Sequence, residues 1–161
     1  MSAEGVKKVA LPELPLTGGC ECGKLRYRVT AKPVTYYACH CTLCQRQSGS
    51  AFGSSLMLPA DGIEIDGELE TYPCTGGSGR PQEKTFCPSC GTRITHRIIG
   101  GDLLVIKPGT LDDRSWLHPA GHIFTATKQP WIDLTEEDGL LFEDAPDMPA
   151  LRRRWSEMTG G

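Results

Sequence analysis

The chain has 161 residues, 39% of them hydrophobic and 23% charged, a globular composition long enough for one buried core and unlike that of a disordered chain. Seventeen basic against twenty acidic residues leave a net charge of −3, so no basic footprint points to nucleic acid or an anionic membrane as partner. No stretch is apolar for long enough to span a bilayer, and residues 1–19 carry no signal-peptide pattern, so a cytoplasmic protein with reduced thiols is expected.

The 19 glycines and 12 prolines predict many turns and short strands. Residues 1–16 read as an N-terminal arm, 17–145 as the β-rich body and 146–161 as a helical tail. Gly18 and Gly19 mark a turn. Over 24–30, Leu25, Tyr27 and Val29 alternate with Lys24, Arg26 and Arg28, the period of a half-buried strand. Strands are expected at 34–39 and 52–58. A hairpin is expected over 62–72 around Asp66-Gly67, followed by a Gly-rich loop over 74–81. Further strands are expected at 84–86, 92–98, 103–107 and 123–127. Only 42–49 and 149–158 read as helical, the second opened by Pro149 and followed by a terminal glycine pair. The run Arg152, Arg153, Arg154 reads as a solvated helix face.

Eight cysteines stand at 20, 22, 39, 41, 44, 74, 87 and 90. In an extended segment, residues i and i+2 share a face, so Cys20 and Cys22, and likewise Cys39 and Cys41, present paired sulfurs. Cys87-Pro88-Ser89-Cys90-Gly91 reads as a zinc knuckle, Pro88 presetting the turn and Gly91 accepting the positive φ after it. Four thiolates, most simply Cys20, Cys22, Cys87 and Cys90, make a closed structural zinc site. Cys39, Cys41 and Cys44 offer three thiolates with no evident fourth ligand, the donor count of a catalytic site. His40 is turned away by alternation, whereas Cys74 could swing in from its loop. Disulfides, a thioredoxin-like redox pair and an iron–sulfur cluster are the competing readings, and the i, i+2 spacing and the lack of a βαβ context favour zinc.

Three ordered motifs carry a resemblance: Gly19-Cys20-Glu21-Cys22-Gly23, then Cys39-His40-Cys41 with Cys44, Arg46 and Gly49, then Phe86-Cys87 with Cys90-Gly91-Thr92. Pro119, Gly121-His122-Ile123-Phe124 and Trp131 extend it. Over about residues 17–133 the chain resembles the glutathione-dependent formaldehyde-activating enzyme family, which includes centromere protein V. Gln45 departs from the pattern, where Arg is frequent. The resemblance implies a β-rich fold similar to that of the exchange factor Mss4. It also implies a structural zinc on Cys20, Cys22, Cys87 and Cys90, and a catalytic zinc on Cys39, Cys41 and Cys44. The implied reaction adds glutathione to formaldehyde.

A thiolate-rich site that receives another thiolate needs nearby positive charge. Arg46 is the first candidate, able to grip a carboxylate with both arms of its guanidinium. His122 is a candidate acid or base. Trp131 reads as a core residue, and Lys107 and Lys128 as solvated lysines. The leading expectation is a zinc-dependent carbon–sulfur lyase or synthase acting on a small thiol such as glutathione. A zinc-stabilised binding module and a thiol-based metal or redox sensor are the alternatives.

Overall fold

The computed structural model describes residues 5–161, so the first four residues of the expected arm lie outside the described residues. The protein is mainly β, with eleven short strands and two α-helices among the described residues. Two compact units divide it: 34–55 and 116–161 with residues 5–11, and 12–33 with 56–115.

In the second unit, β1 (Leu16–Gly19), β2 (Arg26–Val29) and β5 (Ile63–Asp66) form an antiparallel sheet in the order β1-β2-β5. The expected alternation in β2 is present: Tyr27 and Val29 are buried, Arg26 and Arg28 exposed. The expected turn at Gly18 and Gly19 is instead strand. Gly18 lies opposite Tyr27, and a Cβ there would collide with the tyrosine hydroxyl and the Thr110 carbonyl. Thr110 Oγ1 donates to the Lys107 carbonyl (2.7 Å), so the buried Tyr27 hydroxyl donates to Thr110 Oγ1 (2.8 Å).

The other sheet of this unit runs in the order β4-β9-β8-β7-β6. It comprises the later part of β4 (Gly53–Pro59), β9 (Leu103–Ile106), β8 (Arg93–Ile98), β7 (Pro81–Phe86) and β6 (Glu70–Thr75). The hairpin expected around Asp66-Gly67 does not form. β5 pairs instead with β2 over four residues, and β6 with β7 over six. The Gly-rich loop shrinks to 76–80, and Cys74 lies inside β6 opposite Gln82 rather than in a mobile loop. Leu25, Leu56, Leu58, Ile94, Ile106 and Leu111 fill the core of this unit. Burying each of these side chains contributes roughly 1.5–3 kcal/mol.

The first unit is built on β3 (Thr35–Cys39), whose five residues are all buried. β10 (Gly121–Ile123) runs parallel to it, Ile123 opposite Cys39, and β11 (Leu140–Leu141) runs parallel to β10. The strand expected over 123–127 stops at Ile123. Phe124 adopts a left-handed conformation (φ 54°), and Thr125–Thr127 then form a 3-10 turn. Helix α1 (Thr42–Ser48) follows β3 directly and ends on left-handed Gly49. Helix α2 (Met148–Thr159) buries Leu151, Trp155 and Met158, an i, i+4, i+7 stripe. Asp147 caps it by accepting from the Ala150 amide (3.0 Å). Trp155 meets Tyr36 edge-on at 6.3 Å, which seats α2 on β3.

Candidate metal centres

Two knuckles of the second unit bring four sulfurs together. Cys20 and Cys22 follow β1 in a turn closed by the Gly23 amide on the Cys20 carbonyl (3.2 Å), rather than in the extended segment expected. Cys87 and Cys90 follow β7 in a matching turn, the Gly91 amide bonding the Cys87 carbonyl at 2.8 Å. Both turns need a positive φ after the second cysteine, 79° at Gly23 and 78° at Gly91, which glycine accepts without a Cβ clash. The four Sγ atoms all lie within 4.8 Å of one another, Cys20 to Cys22 at 3.5 Å and Cys22 to Cys87 at 3.8 Å. A tetrahedron with metal–sulfur bonds of about 2.3 Å has sulfur–sulfur edges of about 3.8 Å, so this donor set fits zinc.

Thr92 joins the knuckles. Its hydroxyl accepts from the Glu21 amide (3.2 Å) and lies 3.1 Å from Cys90 Sγ, so its proton faces the sulfur. That hydroxyl is the first cause lowering Cys90 to about 6, which favours thiolate. The Leu25 amide points at Cys20 Sγ (3.3 Å). Thr92 stands in the third cysteine motif, and a hydroxyl directly after Cys-Gly is the signal in the sequence for this role.

The second nest lies in the first unit. Cys39 ends β3, Cys41 is the N-cap of α1, and Cys44 sits in its first turn, with the three sulfurs within 4.8 Å of one another. Cys41 is pulled far below the usual thiol value because the Cys39 and Cys44 thiols donate to its sulfur, aided by the Cys44 amide at 3.3 Å. Cys39, supplying one of those protons, is pushed up. Three sulfurs this close together are a set that could hold a metal ion. Among the described residues, no histidine nitrogen or carboxylate joins either nest as a further donor. All eight cysteines are free of disulfides.

His40, between Cys39 and Cys41, is fully buried, and its Nε2 lies 2.9 Å from His122 Nδ1. His40 Nδ1 is buried without a partner. A bare lone pair costs less there than an unpaired N–H, so the tautomer follows: His40 Nε2–H donates to His122 Nδ1. His122 in turn bonds the Asp138 backbone. Burial, first among the causes, draws His40 down to about 4 and lowers His122 as well, keeping both rings neutral.

The backbone of this loop is braced from outside. Gln45 Nε2 donates to the carbonyls of His40 (2.7 Å) and Thr127 (2.8 Å), and Thr127 Oγ1 also donates to the His40 carbonyl (2.9 Å). Gln45 therefore holds the centre of Cys39-His40-Cys41.

Arg46 faces elsewhere. At 100° per residue, Thr42, Gln45, Arg46 and Gly49 share one face of α1, and Cys44 lies on the opposite side. That face lines an open cleft of about 690 Å³ with Phe52, Gln129 and Trp131, which the three cysteines do not line. Trp131, expected in the core, is 71% exposed on this cleft, its Nε1 donating to Gln129 Oε1 (2.8 Å).

Fold and site together define a mainly β protein with two cysteine clusters that could hold metal ions. The family model for glutathione-dependent formaldehyde-activating enzymes matches residues 15–127. The chain belongs to that family. A Halomonas elongata protein is 30% identical over 140 residues, 82% of this chain and 89% of the relative. A Sordaria macrospora protein is 26% identical over 95 residues, 55% of this chain and 40% of the relative. Both are named "Putative glutathione-dependent formaldehyde-activating enzyme". The crystal structure of a Rhodobacter sphaeroides protein is 18% identical with a TM-score of 0.47, covering 60% of this chain and 88% of that one. Among the described residues no helix is long and apolar enough to cross a membrane.

Proposed function

We propose that this protein is a zinc-dependent carbon–sulfur lyase of the reducing cytoplasm. In its synthetic direction it joins a small thiol, such as glutathione, to formaldehyde or a related small carbonyl. The contrast between the two nests carries this reading: four sulfurs close one, and three leave the other a donor short. Cys20, Cys22, Cys87 and Cys90 would hold a structural zinc, while zinc on Cys39, Cys41 and Cys44 would supply the positive charge that keeps a guest thiol ionised.

The chemistry is an addition with no oxidant. The thiol gives up its proton, the sulfur lone pair forms a C–S bond to the carbonyl carbon, and the C=O π pair takes a proton as the new hydroxyl. The protein's part is to position the reactants. Gln45 and Thr127 hold the Cys39-His40-Cys41 backbone in one geometry. His40 and His122, both neutral, fill the core behind it without adding charge. Arg46, on the cleft face of α1, is the group suited to a carboxylate of the thiol substrate. His122 serves this reading by orienting His40.

Metal analysis and exchange spectroscopy on mixtures of formaldehyde and glutathione test it. The protein should carry two zinc equivalents and exchange the adduct faster than the uncatalysed mixture. Cys41→Ser should retain a cooperative fold, lose one equivalent and exchange no faster than the mixture alone. Full exchange by Cys41→Ser would end the assignment.

A further inference from the structure

Trp116 and Trp155 are buried, whereas Trp131 lies exposed on the cleft beside α1. Leaving so large a ring in water forgoes the burial that a core position would supply. Tryptophan placed this way most often marks a contact with something outside the chain.

Both aromatic rings of the cleft are fixed from behind. Trp131 Nε1 donates to Gln129 Oε1 at 2.8 Å, and Gln129 Nε2 lies 3.5 Å from Oε1 of Gln45, which itself holds the His40 carbonyl. Phe52 packs on that same histidine, the ring centroids 5.1 Å apart. The rings are therefore set before any ligand arrives, which spares the ordering cost that a loose side chain incurs on binding.

The rest of the lining is mostly polar. Thr42, Gln45, Ser50 and Gln129 offer hydrogen bonds, and Arg46 is the one charged residue of the lining. Among the described residues no carboxylate lies within ion-pair distance of Arg46. At about 690 Å³ the cleft falls within the size range of small-molecule sites. Two aromatic rings and one guanidinium select for a ligand with a π face and an oxyanion. The rings stack on a planar system, and the guanidinium fork matches a carboxylate or a phosphate. A wholly aliphatic acid would leave the indole face unmatched.

We propose that this cleft binds a planar aromatic ring bearing an acidic group, the ring against Trp131 and Phe52 and the acid on Arg46. The inference rests on the carbon–sulfur reading in taking this aryl acid as part of the molecule transformed; the binding itself is read apart from turnover.

Calorimetric titration of the zinc-loaded full chain with naphthoate, naphthyl phosphate and cyclohexanecarboxylate tests the proposal. At least one naphthyl acid should bind about tenfold more tightly than cyclohexanecarboxylate, which keeps the charge and lacks the π face. Naphthoate alone binding identifies a carboxylate ligand, naphthyl phosphate alone a phosphate ester, and both a general aryl acid site. The bound acid should shift the indole N–H resonance of Trp131 and leave those of Trp116 and Trp155 in place.

Arg46→Gln and Trp131→Ala should each weaken binding about tenfold or more, whereas Trp131→Phe should keep most of it. All three exchange exposed side chains, so Tm should stay within about 2 °C of the parent. Absence of binding by both naphthyl acids, equal binding of cyclohexanecarboxylate, or full affinity in Trp131→Ala would each overturn the proposal. Naphthyl acid binding without exchange of formaldehyde and glutathione would leave the cleft assigned and count against the carbon–sulfur reading; exchange without such binding would do the reverse.

Discussion

Gln45→Glu is the sharpest probe of how the three-cysteine nest is held. The replacement keeps the side chain's shape and exchanges its NH₂ for oxygen. In the native chain that NH₂ donates to His40 O at 2.7 Å and Thr127 O at 2.8 Å. Gln45→Ala removes two bonds worth about 1 kcal/mol each, a loss of about 2 kcal/mol. At about 2–4 °C per kcal/mol for a chain of this length, Tm should fall by about 4–8 °C. Glutamate does worse, because its carboxylate faces two carbonyl oxygens with no proton to offer. Leaving such a charged group unmatched adds about 1–3 kcal/mol, so Gln45→Glu should lose about 4 kcal/mol in all. The His40 carbonyl keeps its bond from Thr127 Oγ1 in both variants, which limits the damage to the loop. Chemical denaturation at pH 7, with matched zinc loading, measures both variants. If Gln45→Glu is as stable as Gln45→Ala or more so, the amide is not the brace described here.

Two further outcomes follow from the structure. Cys87→Ser should release one metal equivalent and abolish cooperative unfolding, and a strong chelator should do the same to the parent, since the fold around the knuckles forms with its metal; an unchanged Tm after either treatment would contradict this. On the alkaline side, burial pushes Tyr27 up to about 12, above the ordinary value near 10. Folding resists its ionisation, so its contribution is intact below pH 10 and is lost as pH rises through 12. Tyr27→Phe, which forgoes the bond to Thr110, should be about 1 kcal/mol less stable at pH 7 yet lose less stability than the parent between pH 10 and 12. Stability curves that stay parallel across that range would refute the assignment.

Local pattern carried much of this protein. Alternation in 24–30, the helix positions after Cys41 and after Asp147, and the knuckle turn at Cys87–Gly91 are all governed by neighbours a few residues apart, and all are present, whereas Cys20 and Cys22 lie in a turn where an extended segment was expected. Where local pattern misled, a distant partner had the stronger claim. Gly18 and Gly19 became strand because Tyr27 stands against them, and the Asp66-Gly67 hairpin gave way to pairing with β2 and β7.

Cysteine type and spacing by themselves paired Cys20 with Cys22 and Cys87 with Cys90 and grouped Cys39, Cys41 and Cys44, because a turn or a helix start dictates where sulfurs two or three residues apart must point, while joining the first two pairs across 65 residues took the fold. Only the tertiary structure decided what surrounds them. His40 meets His122 across 82 residues, Gln45 reaches Thr127 across the same separation, and Thr92 reaches Glu21 across 71. It also turned Arg46 and Trp131 to a cleft away from Cys44. Contacts of that kind depend on which strands pair and in what register, and register is settled by the packing of the whole core.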